Sequence, residues 1–96
     1  MDCTVIIYTR HAVRRMYSRG IRPRAIRSVI EKGEVIASYP RARPYPTFLL
    51  LGLVRGRPMH VVIGYNEATK TAFVITVYQP YRALWGADFK GKRRSP

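Results

Sequence analysis

The chain has 96 residues, a length that fits one domain with a single small core. It carries 18 Lys and Arg residues against 5 Asp and Glu, and the net charge of +13 predicts a polyanionic partner, with the arginine excess favouring nucleic acid. Cys3 is the only cysteine, which excludes an intrachain disulfide and a cysteine zinc site and fits a cytoplasmic protein, and no apolar run is long enough for a membrane span or a signal-peptide core.

The N-terminal third predicts one strand and two helices. Residues 4–8 are rich in β-branched side chains and form the strand. Thr9 then caps a helix over Arg10–Arg19, which Gly20 ends, and the proline at the start of Pro23–Lys32 suits the first turn of a second helix. The spacing of apolar residues gives each helix one apolar side, made by Ala12, Val13, Met16 and Tyr17 in the first and Ala25, Ile26, Val29 and Ile30 in the second. We expect a helical hairpin that lies on the apolar face of a sheet.

The remainder of the chain predicts four strands. Two of them cover Glu34–Tyr39 and Thr47–Val54, separated by the proline-rich loop 40–46, and two more cover 59–65 and 71–79. The resulting order β-α-α-β-β-β-β indicates an α+β fold, in which an antiparallel sheet of four to five strands carries the helical hairpin on one face. Residues 1–96 form one domain, anchored near its end by Trp85 and Phe89 and closed by a mobile basic tail, Lys90–Pro96.

The last two strands are expected to form a hairpin with two unlike faces. Pairing Tyr65 with Thr71 puts an apolar set on the face that meets the helices, namely Met59, Val61, Ile63, Phe73, Ile75 and Val77. The opposite face then holds His60, Val62, Gly64, Ala72, Val74, Thr76 and Tyr78. This register places an imidazole, a hydroxyl and a phenol close together.

These three side chains suit a metal-independent ribonuclease. Such an enzyme needs a base for the 2′-OH, a cation for the pentacoordinate phosphate and an acid for the 5′-oxygen. We assign His60 as base or acid and Tyr78 as the phosphate or proton partner, with Thr76 beside them. The alternative is that His60 only forms a hydrogen bond with Thr76 in a half-buried sheet.

His11 is a further candidate, because it lies near a helix N-terminus with Arg15 one turn away and could contact phosphate or act in catalysis. It could equally face solvent or cap a neighbouring strand, and the sequence does not decide whether His11 and His60 share one site. Phosphate and base contacts are assigned to the residues of the first helix, the 40–46 loop and the strand ends: Arg10, Arg14, Arg15, Arg41, Arg43, Arg57, Arg82 and Tyr45. The carboxylates are scattered along the sequence, and no glycine-rich phosphate loop is present. We therefore expect no metal site and no cofactor.

Short motifs are spread over residues 9–86, nearly the whole chain. They are Thr9-Arg10-His11-Ala12, Arg15-Met16, Arg19-Gly20-Ile21, Gly33-Glu34, Leu51-Gly52, the run from Gly56 to Val62, Thr76-Val77-Tyr78, Pro80 and Trp85. In combination they resemble domain-of-unknown-function family 4258. This resemblance implies a RelE-like toxin ribonuclease fold and a small antitoxin protein as partner, and it suggests cleavage of mRNA, with ribosome dependence left open. Arg22 departs from the pattern, since a Ser or Thr cap is usual there, but capping and not chemistry is affected.

Three functions therefore stand as predictions. The first is a toxin of a toxin–antitoxin pair that acts as a metal-independent RNA endonuclease. The second is a basic RNA- or DNA-binding module without catalysis. The third is a protein-interaction domain for an acidic partner.

Overall fold

Two helices pack on one face of a five-stranded sheet in the computed structural model of the chain, which describes residues 1–91 except for the side chain of Ala83. The elements are β1 (Val5–Tyr8), α1 (Arg10–Arg19), α2 (Pro23–Lys32), β2 (Glu34–Tyr39), β3 (Thr47–Val54), β4 (Arg57–Asn66), β5 (Thr71–Tyr78) and the single turn α3 (Arg82–Trp85). The α+β class and the element order agree with the prediction. Most of the expected mobile tail lies outside the described residues. Within them, no helix is long and apolar enough to cross a membrane.

The helix ends follow from local capping. The Thr9 hydroxyl accepts a hydrogen bond from the Ala12 N–H at 3.1 Å and so satisfies one of the free donors of the first turn of α1. Gly20 ends α1 with φ 65°, a left-handed conformation that glycine adopts without a steric penalty. Arg22 precedes α2 without a side-chain cap, as its residue type predicts.

The sheet order is β1-β5-β4-β3-β2, and every neighbouring pair except one is antiparallel. The exception is β1, which pairs with β5 in parallel, so that the prediction of an antiparallel sheet was wrong at this edge. The physical reason is the connection: the two helices carry the chain from β1 to the opposite edge, and no tight turn fixes the direction of β1 against its neighbour.

A β-bulge changes the predicted register of the β4–β5 hairpin. His60 lies opposite Tyr78, while Tyr65 lies opposite Ala72, and the register shifts between Val62 and Ile63. Because one residue of β5 is extra at this point, the side chains of β5 exchange faces across the bulge. Ala72 and Val74 are therefore fully buried, whereas the predicted core residues are only partly buried (Phe73) and exposed (Ile75).

The core lies between the sheet and the helices. It contains Ala12, Met16, Ile26, Val29, Ile30, Leu50, Met59, Val61, Ile63, Ala72, Val74 and Val77. On α1 the predicted apolar side is narrower than expected: Val13 is half exposed and Tyr17 is 91% exposed, so that only Ala12 and Met16 of this helix are buried. At Gly52 the sheet approaches α2 so closely that a Cβ atom would lie 2.7 Å from Val29 Cγ2.

Candidate functional site

A cleft of about 760 Å³ opens between α1, the end of β5 and the turn around α3. Three arginines and four large aromatic side chains line it: Arg15, Arg19, Arg82, Tyr78, Tyr81, Trp85 and Phe89. The helix supplies Arg15 and Arg19 from consecutive turns, so both guanidinium groups reach the same side of α1. The cleft thus combines cations with aromatic surface, the two components that contact single-stranded nucleic acid.

No carboxylate of residues 1–91 lines this cleft. Within the described part of the chain, the ion pairs join Arg27 to Glu31, Lys70 to Asp2 and Lys90 to Glu34, and none includes a cleft arginine. Among residues 1–91, no three His, Cys, Asp or Glu side chains come close enough together to hold a metal ion. The positive charge of the cleft is therefore available for an anionic ligand.

His60 lies directly behind the cleft wall and is fully buried. Its Nδ1 lies 3.2 Å from the Tyr78 hydroxyl, and its Nε2 lies 2.7 Å from the backbone oxygen of Phe89. The Trp85 ring meets the imidazole edge to face, with ring centroids 4.4 Å apart. The segment after β5 therefore covers His60, which does not line the cleft itself, whereas its contacts Tyr78, Trp85 and Phe89 do.

The two hydrogen bonds fix the tautomer of His60. A carbonyl oxygen can only accept, so Nε2 carries the proton that it donates to Phe89, and in the neutral ring Nδ1 accepts from the Tyr78 hydroxyl. Burial lowers the pKa of His60, and the hydrogen bond to Phe89 opposes this only in part. Burial also raises the pKa of Tyr78, with the nearby Tyr39 contributing. The resting pair is a neutral imidazole and a neutral phenol.

His11 and Thr76 form a second pair. His11 is exposed at the start of α1, and its Nε2 lies 3.1 Å from the Thr76 hydroxyl. Thr9 fixes this end of the helix, because its hydroxyl also donates to the backbone oxygen of Ile75 at 3.0 Å. The four predicted catalytic side chains are thus divided into two pairs, and their members on β5 are two residues apart. His60 bonds to Tyr78 rather than to Thr76, as the shifted register requires.

The predicted nucleic-acid contacts are dispersed. Arg15 and Arg82 line the cleft, whereas other predicted arginines are exposed elsewhere on α1, on the 40–46 loop and at the start of β4: Arg10, Arg14, Arg41, Arg43 and Arg57. Tyr45 stacks on Phe73 with centroids 5.1 Å apart, so one of its faces is occupied.

Arg19, Tyr81, Trp85 and Phe89 are charged or aromatic lining residues that were not predicted as ligand contacts. The i,i+4 spacing of Arg15 and Arg19 is a signal that could have identified Arg19. Tyr81 and Trp85 depend on where the chain turns after β5, for which the sequence carries no local signal.

Residues 8–79, which are most of the chain, match the model of the family described as Domain of unknown function (DUF4258). The chain belongs to this family. The DUF4258 segment includes both histidine pairs, and it ends before Tyr81, Arg82, Trp85 and Phe89. No curated protein and no solved structure gives a significant match.

Proposed function

We propose that the protein binds single-stranded RNA in the arginine cleft and cleaves it without a metal ion, as the cytoplasmic toxin of a toxin–antitoxin pair with a RelE-like fold. One observation carries the nuclease proposal: Tyr78 lines the cleft and donates its hydroxyl proton to a buried neutral imidazole. A phenol with a proton acceptor behind it is a group that can exchange protons with a bound ligand.

The cleft side chains suit the two parts of a nucleotide. Arginine guanidinium groups bind phosphate oxygens through paired hydrogen bonds, and Arg15, Arg19 and Arg82 would hold the scissile phosphate and its neighbour. Tyr81 is exposed and offers its ring to an unpaired base. Single-stranded RNA is favoured over a duplex because stacking on aromatic rings requires unpaired bases.

The reaction would use Tyr78 and His60 as one proton-transfer unit. The 2′-oxygen attacks phosphorus, and its proton passes to the Tyr78 oxygen while the Tyr78 proton passes to Nδ1 of His60. The arginines stabilise the phosphorane, and the P–O5′ bond then breaks. The proton returns from His60 through Tyr78 to the 5′-oxygen, leaving a 2′,3′-cyclic phosphate. The Phe89 carbonyl accepts the Nε2 proton throughout, so that Nδ1 is the atom that takes up and releases the transferred proton. His11 and Thr76, one step along β5, would contact a flanking phosphate.

RNA cleavage in the presence of a chelator tests this proposal. We expect purified protein to cut unstructured RNA in EDTA, and Tyr78→Phe to lower the rate by about 10²–10⁴-fold, because the proton path is removed while the ring stays. Tyr17→Phe removes a hydroxyl from an almost fully exposed ring outside the cleft and is the matched control. Equal cleavage by wild type and Tyr78→Phe would exclude the assigned role of Tyr78.

A non-catalytic RNA-binding module is the second candidate function. The observation that favours it is the complete burial of His60 with both ring nitrogens bonded, as in a purely structural hydrogen-bond network. In that case the same assay would give steeply salt-dependent binding and no cleaved product at any protein concentration.

The toxin role also implies a protein partner. An antitoxin that neutralises this protein has to block the cleft, and acidic side chains would complement its three arginines. The net charge of +13 also favours an acidic partner for the molecule as a whole. It is equally consistent with a protein-interaction domain that has no nuclease activity.

A further inference from the structure

A second arginine-lined groove, of about 520 Å³, lies where the loop between α1 and α2 meets the β3–β4 turn. Arg22 and Arg24 line one wall, and Arg55 lines the other together with Leu53. All three arginines are exposed, and the described residues that line the groove include no carboxylate. In the described part of the chain none of them forms an ion pair. The groove therefore has the same charge character as the cleft.

The groove and the cleft take lining residues from neighbouring positions of the chain on the helix side and on the sheet side. On the helix side, Arg19 lines the cleft and the next residue, Gly20, lines the groove. On the sheet side, Arg55 lines the groove and Pro58 lines the cleft, with the exposed Arg57 between them in sequence. Leu53 and Pro58 also line a third pocket, which contains Glu34 and Asp88. A chain of phosphates that leaves the cleft past the end of α1 thus enters a second surface of the same charge.

The floor and the turn add two further features. Leu53 is 71% exposed, an apolar surface beside arginines that a base or a ribose can cover. Arg55 has φ 54° and Gly56 has φ 77°, so an arginine occupies a left-handed turn position where Asn, Asp or Gly is usual. The backbone of Arg55 therefore lies in a conformation that residues other than Gly, Asn and Asp rarely adopt, and in this conformation Arg55 lines the groove.

We propose that this groove binds backbone phosphates of the same RNA strand outside the cleavage site, so that the protein engages a longer RNA segment than the cleft alone holds. The inference rests on the proposed function, since it requires RNA in the cleft. The ligand class is the phosphodiester backbone, contacted by guanidinium groups without base-specific hydrogen bonds.

RNA length distinguishes binding in the cleft from binding in the groove, because only a long RNA can reach both. We would measure the affinity of wild type and Arg24→Gln/Arg55→Gln for single-stranded RNA of about 4 and about 12 nucleotides, lengths on either side of a compact site. The variant should bind the short RNA like wild type and the long RNA about tenfold more weakly at about 0.15 M salt, with the salt slope reduced by about 1.4 for two lost contacts. Lys32→Gln/Lys70→Gln removes the same charge from exposed positions that line neither the cleft nor the groove and should show no such length dependence.

Each other outcome overturns the inference. An equal loss of affinity for both RNA lengths would show a general charge effect. No loss of affinity for either length would show that the groove arginines contact solvent and not RNA. Short and long poly-glutamate peptides test the alternative of an acidic protein partner. If the variant lost affinity for the long peptide only, as predicted for RNA, the groove would bind an acidic protein and not RNA. If wild type bound neither RNA, the proposed function would fail along with the groove, whereas binding confined to the cleft would overturn the groove alone. Thermal unfolding checks that both variants are folded.

Discussion

At the scale of single residues, His60 shows how one buried group serves both packing and proposed chemistry. Its two hydrogen bonds join the sheet to the C-terminal segment, and the ring contact with Trp85 closes that segment over it. Protonating the ring would replace the acceptor at Nδ1 with a donor facing the Tyr78 hydroxyl and would place a charge in a dry site. His60 is therefore a pH-sensitive part of the fold.

We predict that folding stability falls as the pH is lowered through about 6.5, the ordinary pKa of histidine. Because burial lowers the pKa of His60 in the folded state, the unfolded chain binds more protons between that lowered value and about 6.5, and stability rises with pH in this window. Denaturant unfolding at several pH values measures the slope. His60→Asn should flatten it and cost roughly 1–3 kcal/mol at neutral pH, because the Tyr78 and Phe89 groups lose a partner.

The other histidine supplies the control. His11→Asn changes an exposed imidazole, so it should leave the slope of the wild type in place. A slope that persists unchanged in His60→Asn would show that other groups cause the pH dependence.

At the scale of elements, the helices and strands could be predicted from the sequence because their ends are set locally. Thr9, Gly20 and Pro23 define the helix ends through caps and backbone preferences that act within one turn. The bulge in β5 and the parallel pairing of β1 depend on contacts between distant segments, and no local pattern marks them. At the His60 end of the hairpin the register differs from the predicted one by two residues, so His60 and Tyr78 stay on the same face of the sheet as predicted. Beyond the bulge it differs by one residue, so Phe73 and Ile75 do not lie on the predicted core face.

The close approach of α2 to β3 gives an element-scale prediction. Gly52→Ala should destabilise the fold by about 1–3 kcal/mol, because the new Cβ would lie 2.7 Å from Val29 Cγ2 and the helix would have to move. Gly64→Ala in the neighbouring strand is the matched control, since its Cβ would meet only ordinary contacts at 3.9 Å.

A double-mutant cycle makes the cause of this destabilisation testable by chemical denaturation. Val29→Ala leaves a cavity by itself, but combined with Gly52→Ala it removes the clashing methyl groups, so the two changes together should cost less than their sum. Additive costs would show that the loss at Gly52 has another origin.

At the scale of the whole molecule, charge is the dominant feature. Among residues 1–91, ion pairs include three of the five carboxylates, Asp2, Glu31 and Glu34, and none of the five lines the cleft or the arginine groove beside it. The charge was evident in the composition, but the cleft was not, because its outer wall is the segment after Pro80, placed by the contacts of Trp85 and Phe89 with His60. Composition predicts the class of ligand here, and tertiary packing decides where that ligand can bind.

A toxin should stop the growth of a cell that produces it, and the structure predicts which change relieves the arrest. Induced expression of the wild type should arrest growth, and Tyr78→Phe should restore it at equal protein level, because the variant keeps the arginine cleft and loses only the hydroxyl bonded to His60. Colony counts and immunoblots after induction measure both quantities. Arrest that persists in Tyr78→Phe but disappears in Arg15→Gln/Arg19→Gln would instead mean that RNA binding alone is toxic, which is the result expected of a non-catalytic module.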